Sequence, residues 1–308
     1  MRRWLSMFAA LAFAGIFAAC GSSSNKSSST TTIGGNTTTT AAAGAAACSG
    51  PADAYDKTIG NISDFKPVTP DTLTIVTSLP GPGFWEGSDT DPTKVKAGYE
   101  YDIAKAIQAK LGLSKFVVRN VGFDAIVAGT VTKYDLALSQ ISITCDRAKV
   151  VKFTMPYFQS NQGVLVKKGG GISVSNLAEA KKIQWGVQTG TTAIDLLKKI
   201  APAKSPRVYQ QLPDAYTALS AGQVDAVLID TAINLGEAAR SNGQFEVVSQ
   251  FDQPGGPDQY GAILPKDSTN TGAINAVFKQ LEDSGQIKQL ATRDLTADPG
   301  NIPVIKVS

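Results

Sequence analysis

The chain has 308 residues, 43% of them apolar, which is enough for one or two domains with substantial hydrophobic cores. Its formal charge is +3, and loss of Arg2 and Arg3 with a leader would leave about +1 without any basic run, which excludes a typical nucleic-acid-binding protein. Histidine is absent and the three cysteines form no CxxC pair. This excludes histidine-dependent triads, histidine-ligated zinc and cysteine-rich metal sites, and with them most hydrolase mechanisms, so we expect no metal or cofactor.

Residues 1–19 are predicted to form a signal peptide. A short basic start at Met1–Arg3 precedes an apolar run of sixteen residues from Trp4 to Ala19. As a helix this run is about 24 Å long, which is less than the ~30 Å hydrocarbon core that a permanent span must cross. The segment therefore predicts export and not a stable membrane helix.

Cys20 is predicted to carry a lipid. Phe17–Cys20 reads FAAC and resembles a bacterial lipobox, in which the cysteine is diacylated and becomes the new first residue, although Phe17 replaces the usual aliphatic residue. The alternative is an ordinary signal-peptidase site with an incidental cysteine. A palmitoylated Cys20 would anchor the protein to the cell membrane on its extracytoplasmic face.

Residues 20–66 are predicted to link this anchor to a folded body. Between Gly21 and Ala47 the composition is almost entirely Ser, Thr, Ala, Gly and Asn, with Ile33 as the one large apolar residue. Such a segment buries too little surface to offset the entropy of ordering, so it is predicted to be disordered.

Two cysteines remain in the exported chain, Cys48 and Cys145. An oxidising compartment favours a disulfide between them, which would tie the start of the folded body beside the loop that holds Arg147. Sequence alone does not determine connectivity, so two free thiols remain the alternative.

The first half of the folded body has an α/β pattern. Its predicted elements are a strand at Leu73–Thr77, a loop at Leu79–Gly98, a helix with an apolar stripe of Ile103, Ile107 and Leu111, a strand at Phe116–Val121, a helix at Phe123–Val131 and a strand at Asp135–Leu138. The loop is long for a compact domain. Its aromatic residues Phe84 and Trp85 either flank a ligand or fill a gap above the strand ends.

Polar side chains follow the strand at Asp135–Leu138. Ser139, Gln140 and Ser142 alternate with isoleucines, and Arg147 comes next. In open α/β sheets small ligands lie beyond the carboxyl ends of the strands, and a guanidinium matches a carboxylate with two parallel hydrogen bonds. The stretch therefore predicts a site for a small anionic group. The alternative is that Arg147 pairs with an acidic neighbour and the serines cap the next turn.

The second half repeats the α/β pattern. Its predicted elements are a strand at Gly163–Val166, a helix near Asn176–Lys181, a strand at Ile183–Val187, a helix striped by Ala193, Leu197 and Ile200, a strand at Val224–Ile229, and closing helices at Asn270–Asp283 and Gln286–Thr292. Thr191 and Thr192 lie at a strand-to-helix turn, where helix N–H groups favour anions. Asp230 follows a buried strand and is a helix N-cap, a ligand group for a cation, or both, and the cap is favoured on this pattern alone.

An internal similarity relates the two halves. Phe123–Gly129 precedes the segment DLAL, and Tyr216–Gly222 precedes the segment DAVL, so each half contains a helix, a glycine stop and a buried strand. We therefore predict two similar α/β halves. A cleft between such halves is where small ligands preferentially bind.

Four segments in this order resemble the family 3 extracellular solute-binding proteins, the amino-acid receptors of ABC importers. They are GYEYDIAKAI at Gly98–Ile107, SQISITCDRAKVVKFTMPYF at Ser139–Phe158, GVQTGTT at Gly186–Thr192, and Asp230 after its strand. The resemblance covers about Leu73–Leu295. It implies an α/β, two-lobed periplasmic-binding-protein type II fold with two hinge strands, in which residues 67–161 form lobe 1, residues 162–256 form lobe 2 and residues 257–308 return to lobe 1.

The resemblance also implies a role for each site residue. Arg147 would hold the α-carboxylate of an amino acid, helped by Ser142 and by Thr191 or Thr192, and Asp230 would hold the α-ammonium. Ser139 and Gln140 would contact the ammonium or the side chain of the ligand, and Phe123 would pack on the ligand. Phe84 or Trp85 would form a second aromatic wall, because Pro82 stands where many family members have Tyr.

The implied function is that of a monomeric lipoprotein that is not an enzyme. It would bind a free polar amino acid and deliver it to the permease of an ABC transporter, and Gln140 and Gln188 favour a glutamine-like or glutamate-like ligand. Two alternatives remain open: a dehydratase-like enzyme on the same fold, with Glu86 or Glu100 as general acid, and a ligand-sensing lipoprotein for a signalling partner.

Overall fold

The computed structural model describes residues 48–295 and 299–307. The predicted signal peptide, the predicted lipidation site Cys20 and most of the predicted linker lie outside the described residues. Within the described ranges, no helix is both long enough and apolar enough to cross a bilayer.

The described residues form an alternating series of strands and helices. The strands are β1 (Thr72–Thr77), β2 (Lys115–Asn120), β3 (Leu136–Ala137), β4 (Val151–Ser160), β5 (Gln162–Lys167), β6 (Trp185–Gln188), β7 (Arg207–Tyr209), β8 (Ala226–Asp230), β9 (Phe245–Asp252), β10 (Asp258–Pro265) and β11 (Val304–Lys306). The helices are α1 (Tyr99–Lys110), α2 (Phe123–Val127), α3 (Cys145–Ala148), α4 (Leu177–Ala180), α5 (Thr192–Ile200), α6 (Leu212–Ser220), α7 (Thr231–Arg240), α8 (Thr271–Asp283) and α9 (Gln286–Asp294).

The strands form two sheets. The first has the order β2-β1-β3-β10-β4, with β1 parallel to β2 and β3 and with β10 antiparallel to its neighbours. The second has the order β11-β9-β5-β8-β6-β7, with β6 parallel to β7 and β8. The predicted two-lobed α/β fold is confirmed, and each sheet forms the centre of one lobe.

Central strands have the composition expected of strands covered on both faces. β1 reads TLTIVT and all six of its residues are buried, and its Ile75 lies opposite Val118 on one side and Leu136 on the other. β8 reads AVLID and is likewise buried throughout, and its last residue is Asp230. The β-branched sequence of β1 and the apolar run of β8 are typical of strands packed on both faces, which is why these two were recognisable in the sequence.

The chain crosses between the sheets at two adjacent points. β4 ends at Ser160 in the first sheet and β5 begins at Gln162 in the second. β9 ends at Asp252 in the second sheet and β10 begins at Asp258 in the first. These crossings are the hinge strands that the family resemblance implies.

Two predicted boundaries need correction. The assignment of all of residues 257–308 to lobe 1 is wrong for β11, which pairs in parallel with β9 of the second sheet. A three-residue strand at the end of the chain has no local signal for the sheet that it joins, and here it covers the outer edge of β9. The remaining lobe boundaries stay predictions.

The predicted linker also ends earlier than residue 66, because residues 48–66 pack on lobe 1. The Asn275 amide donates hydrogen bonds to the carbonyls of Asp56 and Thr58, at 2.7 and 3.0 Å. The Gly60 N–H donates to Gly272 at 2.9 Å, and Cys48 forms a disulfide with Cys145. This attachment depends on contacts more than 90 residues apart in sequence, which composition cannot reveal.

Helix α2 is shorter than predicted. The apolar pattern predicts a helix over Phe123–Val131, whereas α2 ends at Val127. Gly129 has a φ of 68°, in the left-handed region, and a Cβ there would lie 2.8 Å from the carbonyl oxygen of Val150. The chain therefore turns at Gly129, and Phe123 is left at the start of a short helix that faces the cleft.

Candidate functional site

A cleft lies between the lobes, and the space free of protein atoms there is about 470 Å³ when the open solvent at its mouth is included. Both lobes contribute to its lining, which consists of Ser78, Leu79, Pro80, Phe123, Ser139, Gln140, Ser142, Arg147, Gln188, Thr191, Thr192, Gln211, Leu212, Pro213, Ile229, Asp230 and Ile233. Eight of the ten residues predicted to bind a ligand line it, and Phe84 and Trp85 do not.

Arg147 is a buried cation that no carboxylate neutralises within the described part of the chain. Its guanidinium donates to the carbonyls of Ser142 at 2.6 Å and Gly190 at 2.8 Å, and lies over the ring of Phe123 at 5.4 Å. Burial lowers the pKa of Arg147 to about 10, a shift opposed by the negative charges of nearby aspartates. The side chain therefore stays charged at neutral pH and is positioned to attract an anion.

The short helix α3 positions Arg147. The Thr144 hydroxyl caps this helix by accepting a hydrogen bond from the Arg147 N–H at 3.2 Å. The cap fixes where the helix begins and therefore the direction in which the arginine side chain leaves it. The alternative in which Arg147 pairs with an acidic neighbour does not match these contacts.

Asp230 is a buried carboxylate with no basic partner among the described residues. It occupies the N-cap position of α7, yet its side chain makes no capping hydrogen bond. Its Oδ1 accepts from the Gln162 amide at 3.1 Å, and burial and the charge of Asp258 raise the pKa of Asp230 well above its usual value. Asp230 therefore has the N-cap position that the sequence pattern favoured, but without a capping bond its carboxylate is available to a cation.

Thr191 and Thr192 lie at the start of α5, but their hydroxyl hydrogens are used inside the protein. The Thr191 hydroxyl donates to the carbonyl of Gln188 at 2.7 Å, and the Thr192 hydroxyl donates to Asp258 at 2.8 Å. What this turn offers a ligand is therefore the first N–H groups of α5, because the N–H groups of the first helical turn lack partners within the helix.

Ser139 and Gln140 belong to a rigid strand end. The Ser139 hydroxyl accepts a hydrogen bond from the Ser78 N–H at 3.0 Å. Gln140 has a φ of 51°, which is uncommon for a residue other than glycine, and its backbone N–H and side-chain amide both donate to the buried carboxylate of Glu100, at 2.8 and 2.5 Å. Glu100 therefore holds Gln140 in the conformation that faces the cleft.

The prediction that Phe84 or Trp85 forms a second aromatic wall is wrong. Phe84 is fully buried among the rings of Tyr99, Phe158 and Tyr260, and the Trp85 ring N–H donates to Glu100 at 2.7 Å. The loop folds back on the first lobe, so both aromatics stabilise its core instead of touching the cleft. Leu79 and Pro80 of the same loop line the cleft at this end.

Glu86 and Glu100, the general acids considered for an enzyme, also do not line the cleft. Glu86 accepts a hydrogen bond from the Gly83 N–H. Glu100 is fully buried and accepts from Trp85, Tyr157 and two groups of Gln140. Burial raises the pKa of Glu100, and these hydrogen bonds oppose that shift.

Several residues at the cleft were not identified from the sequence, among them Ser78 in the lining and two residues that contact the lining, Gln162 and Asp258. Ser78 follows the buried strand β1, so the rule that identified Ser139 and Asp230 applies to it equally. Gln162 donates from one amide nitrogen to Asp230, to Asp258 at 2.7 Å and to the Thr192 hydroxyl at 3.2 Å. Gln162 and Asp258 are the first residues of β5 and β10, and only the crossing of the hinge strands brings them together.

The two lobes contact each other around the cleft. Besides the Arg147 contact to Gly190, the Gln210 amide donates to Asp124 at 2.7 Å. Arg240 of α7 forms an ion pair with Asp89 of the first lobe at 2.8 Å. These contacts involve different edges of the cleft, so the structure shows the lobes closed on each other.

Known proteins share both the sequence pattern and the fold. The family model for bacterial extracellular solute-binding proteins, family 3, matches residues 86–295. The ABC transporter glutamine-binding protein GlnH of Bacillus subtilis is 31% identical over 237 residues, covering 75% of this chain and 81% of that protein. The ABC transporter arginine-binding protein 1 of Escherichia coli is 26% identical, covering 63% and 79%. An ancestral arginine-binding protein bound to glutamine superposes with a TM-score of 0.64 at 28% identity, covering 73% of this chain and 98% of that one.

Proposed function

The chain belongs to family 3 of the bacterial extracellular solute-binding proteins, and on this basis we propose that it binds a free polar amino acid in the interlobe cleft and delivers it to an ABC importer. Relatives are named as binding glutamine, arginine, cystine or glutamate, so family membership supports an amino acid but leaves the side chain open. A glutamine-like or glutamate-like ligand is the starting proposal, because glutamine side chains line the cleft.

One observation carries the proposal: Arg147 of the first lobe and Asp230 of the second line the same cleft and do not neutralise each other by direct contact. A zwitterionic amino acid carries an anion and a cation on neighbouring atoms. The α-carboxylate would face Arg147 and the first N–H groups of α5, and the α-ammonium would face Asp230. No purely anionic or purely cationic ligand satisfies both groups.

Because the two charges belong to different lobes, the ligand would also control closure. A ligand shifts a conformational equilibrium only by its difference in affinity for the two states. In an open arrangement the amino acid could contact only one lobe's charge, whereas in the closed arrangement it contacts both. The closed form is then the form that a permease would receive.

Calorimetry on the purified protein tests the proposal. After a thermal-shift screen of the common amino acids identifies a ligand, Arg147→Met should weaken its binding by about 2–5 kcal/mol, or roughly thirty-fold to a few thousand-fold. The matched control is Arg119→Met, because Arg119, like Arg147, donates to two backbone carbonyls but lies outside the cleft lining. A loss under threefold for Arg147→Met would remove this residue from the binding site.

We propose that the protein acts as a monomer anchored through Cys20 to the extracytoplasmic face of the cell membrane. The support is the FAAC motif after a short apolar run, followed by a Ser- and Thr-rich segment long enough to separate the folded lobes from the bilayer. Palmitate should label the wild type and not Cys20→Ala. An unlabelled wild type would contradict the anchor without affecting the ligand site.

A further inference from the structure

We propose that the cleft selects an amino acid whose side chain is uncharged, so that glutamine binds and glutamate and arginine are rejected. The inference rests on the proposed function, because it concerns the part of the same cleft that would receive the side chain. It narrows the glutamine-like or glutamate-like ligand to the neutral member of that pair.

The cleft lining contains two ionisable side chains among the described residues, Arg147 and Asp230. Both are matched by the α-carboxylate and α-ammonium that every amino acid carries. The rest of the lining is serine, threonine, glutamine, proline, leucine, isoleucine and phenylalanine. A charged side chain on the ligand would therefore enter a closed site that offers it no opposite charge.

Carboxylates just behind the lining do not supply that charge. Glu100 is fully buried and already accepts four hydrogen bonds from side chains and backbone. Asp124 accepts from the Gln210 amide at 2.7 Å, and Asp258 accepts from the Thr192 hydroxyl at 2.8 Å. None of these three carboxylates is part of the cleft lining, and each is already hydrogen-bonded within the protein.

The neutral part of the lining offers amide groups instead. Gln188 is buried, and its amide makes only a long contact of 3.5 Å to the carbonyl of Gln210. Gln211 occupies the N-cap position of α6 without a side-chain capping bond. Each amide can donate and accept, so together they can satisfy another amide or a hydroxyl without any net charge. Leu79 and Pro80 give the opposite side of the cleft an apolar surface.

The expected discrimination is large. Burying a charge without a partner costs far more than burying a neutral polar group that finds hydrogen bonds. We therefore expect a charged amino acid to bind at least about 100-fold more weakly than a neutral one of the same shape. Comparing molecules of equal shape removes the effect of side-chain size.

The experiment titrates the purified full-length protein, freed of bound ligand by unfolding and refolding, with two isosteric pairs at pH 7. The pairs are L-glutamine with L-glutamate, and L-citrulline with L-arginine, and a screen of the twenty common amino acids runs beside them. The neutral member should bind at least about 100-fold tighter in any pair that binds, and every hit of the screen should be uncharged.

A gain-of-function variant adds a second readout. Gln211→Glu places a carboxylate in the lining and should shift the arginine-to-citrulline affinity ratio toward arginine by at least about tenfold. Gln223→Glu is the control, because Gln223 is an exposed residue of the same lobe outside the lining. The thermal unfolding curve of each variant verifies that it is folded.

The outcomes separate this inference from the proposed function. If glutamate or arginine binds as tightly as its neutral partner, or if the screen selects a charged amino acid, the inference is wrong and the proposed function stands. If none of the twenty amino acids binds, the proposed function fails, and this inference fails with it.

Discussion

Asp230→Asn tests the site most directly, because it removes a charge and almost no volume. In the structure the carboxylate is 4% exposed and accepts a hydrogen bond from Gln162, and none of the described lysines or arginines forms an ion pair with it. The substitution should therefore have opposite effects on ligand binding and on the stability of the ligand-free protein.

The effect on affinity follows from the loss of a buried countercharge. A buried ammonium left without its carboxylate costs about 2–5 kcal/mol, so an amino acid should bind roughly thirty-fold to a few thousand-fold more weakly. An analogue that keeps the carboxylate and side chain but lacks the ammonium should bind weakly to both proteins and lose little in the variant. This contrast between the two ligands assigns the loss to the ammonium contact.

The effect on stability follows from the pKa of Asp230, which burial and Asp258 raise well above its usual value. The folded protein then holds this proton more tightly than the unfolded chain does, so stability falls as pH rises from the unfolded-state pKa, about 3.9, to the raised folded-state pKa. The full penalty persists above that window. Asn cannot ionise, so ligand-free Asp230→Asn should be more stable than the wild type at neutral pH.

Two measurements complete the test. Calorimetry gives the affinity for both ligand types, and urea unfolding at several pH values gives the stability of the ligand-free proteins. Asp214→Asn is the control, because Asp214 is an exposed aspartate on α6 of the same lobe. Equal losses for the amino acid and the analogue would refute the ammonium contact. A ligand-free variant that is less stable than the wild type would refute the uncompensated carboxylate.

Three further predictions follow from contacts outside the cleft. Arg240→Ala breaks the ion pair with Asp89 across the lobes and should lower the affinity for the ligand two- to fivefold at low salt. In a double-mutant cycle with Asp89→Ala, the coupling energy should be below about 1 kcal/mol. A loss of affinity that is the same in high salt would contradict an ion pair. Replacing Cys48 and Cys145 by serine should lower the free energy of unfolding by about 2–5 kcal/mol, because the disulfide closes a long loop; an unchanged free energy in urea titrations would contradict this contribution. Glu100→Gln places an amide N–H₂ group against the groups that now donate to Glu100, so it should lower the free energy of unfolding by about 1–3 kcal/mol and also reduce ligand affinity. If both the free energy of unfolding and the affinity are unchanged, Glu100 does not hold the cleft wall.

Local sequence pattern was sufficient wherever a residue's role follows from its place beside a buried strand. The β-branched residues of β1 and the apolar run of β8 predicted strands, and the residues that follow buried strands predicted the edge where a ligand could lie. The structure brings Arg147 and Asp230 to that edge from different lobes. The edge is predictable because a parallel strand that is buried on both faces can expose polar groups only where it ends.

Contacts made at a distance along the chain could not be predicted in this way. Gln162 and Asp258 are 96 residues apart and meet only because the hinge strands cross. Trp85 lies in a loop rich in glycine and proline, where an aromatic residue can equally face a ligand or fill a core. The Trp85 ring N–H donates to Glu100, and no local pattern indicates that this glutamate is buried beside the loop. Sequence pattern thus locates the cleft but not the interactions that make its wall rigid.

The closed structure also explains why an empty protein should open. Arg147 gives its guanidinium hydrogen bonds to the carbonyls of Ser142 and Gly190, and Asp230 accepts from Gln162, so closure buries both charges without an opposite charge in contact. Water can solvate both groups when the lobes separate, which favours the open form. The exposed ion pair between Arg240 and Asp89 contributes about 0–1 kcal/mol, too little to offset that penalty. A zwitterion supplies both missing charges at once, so binding and closure are expected to be a single event.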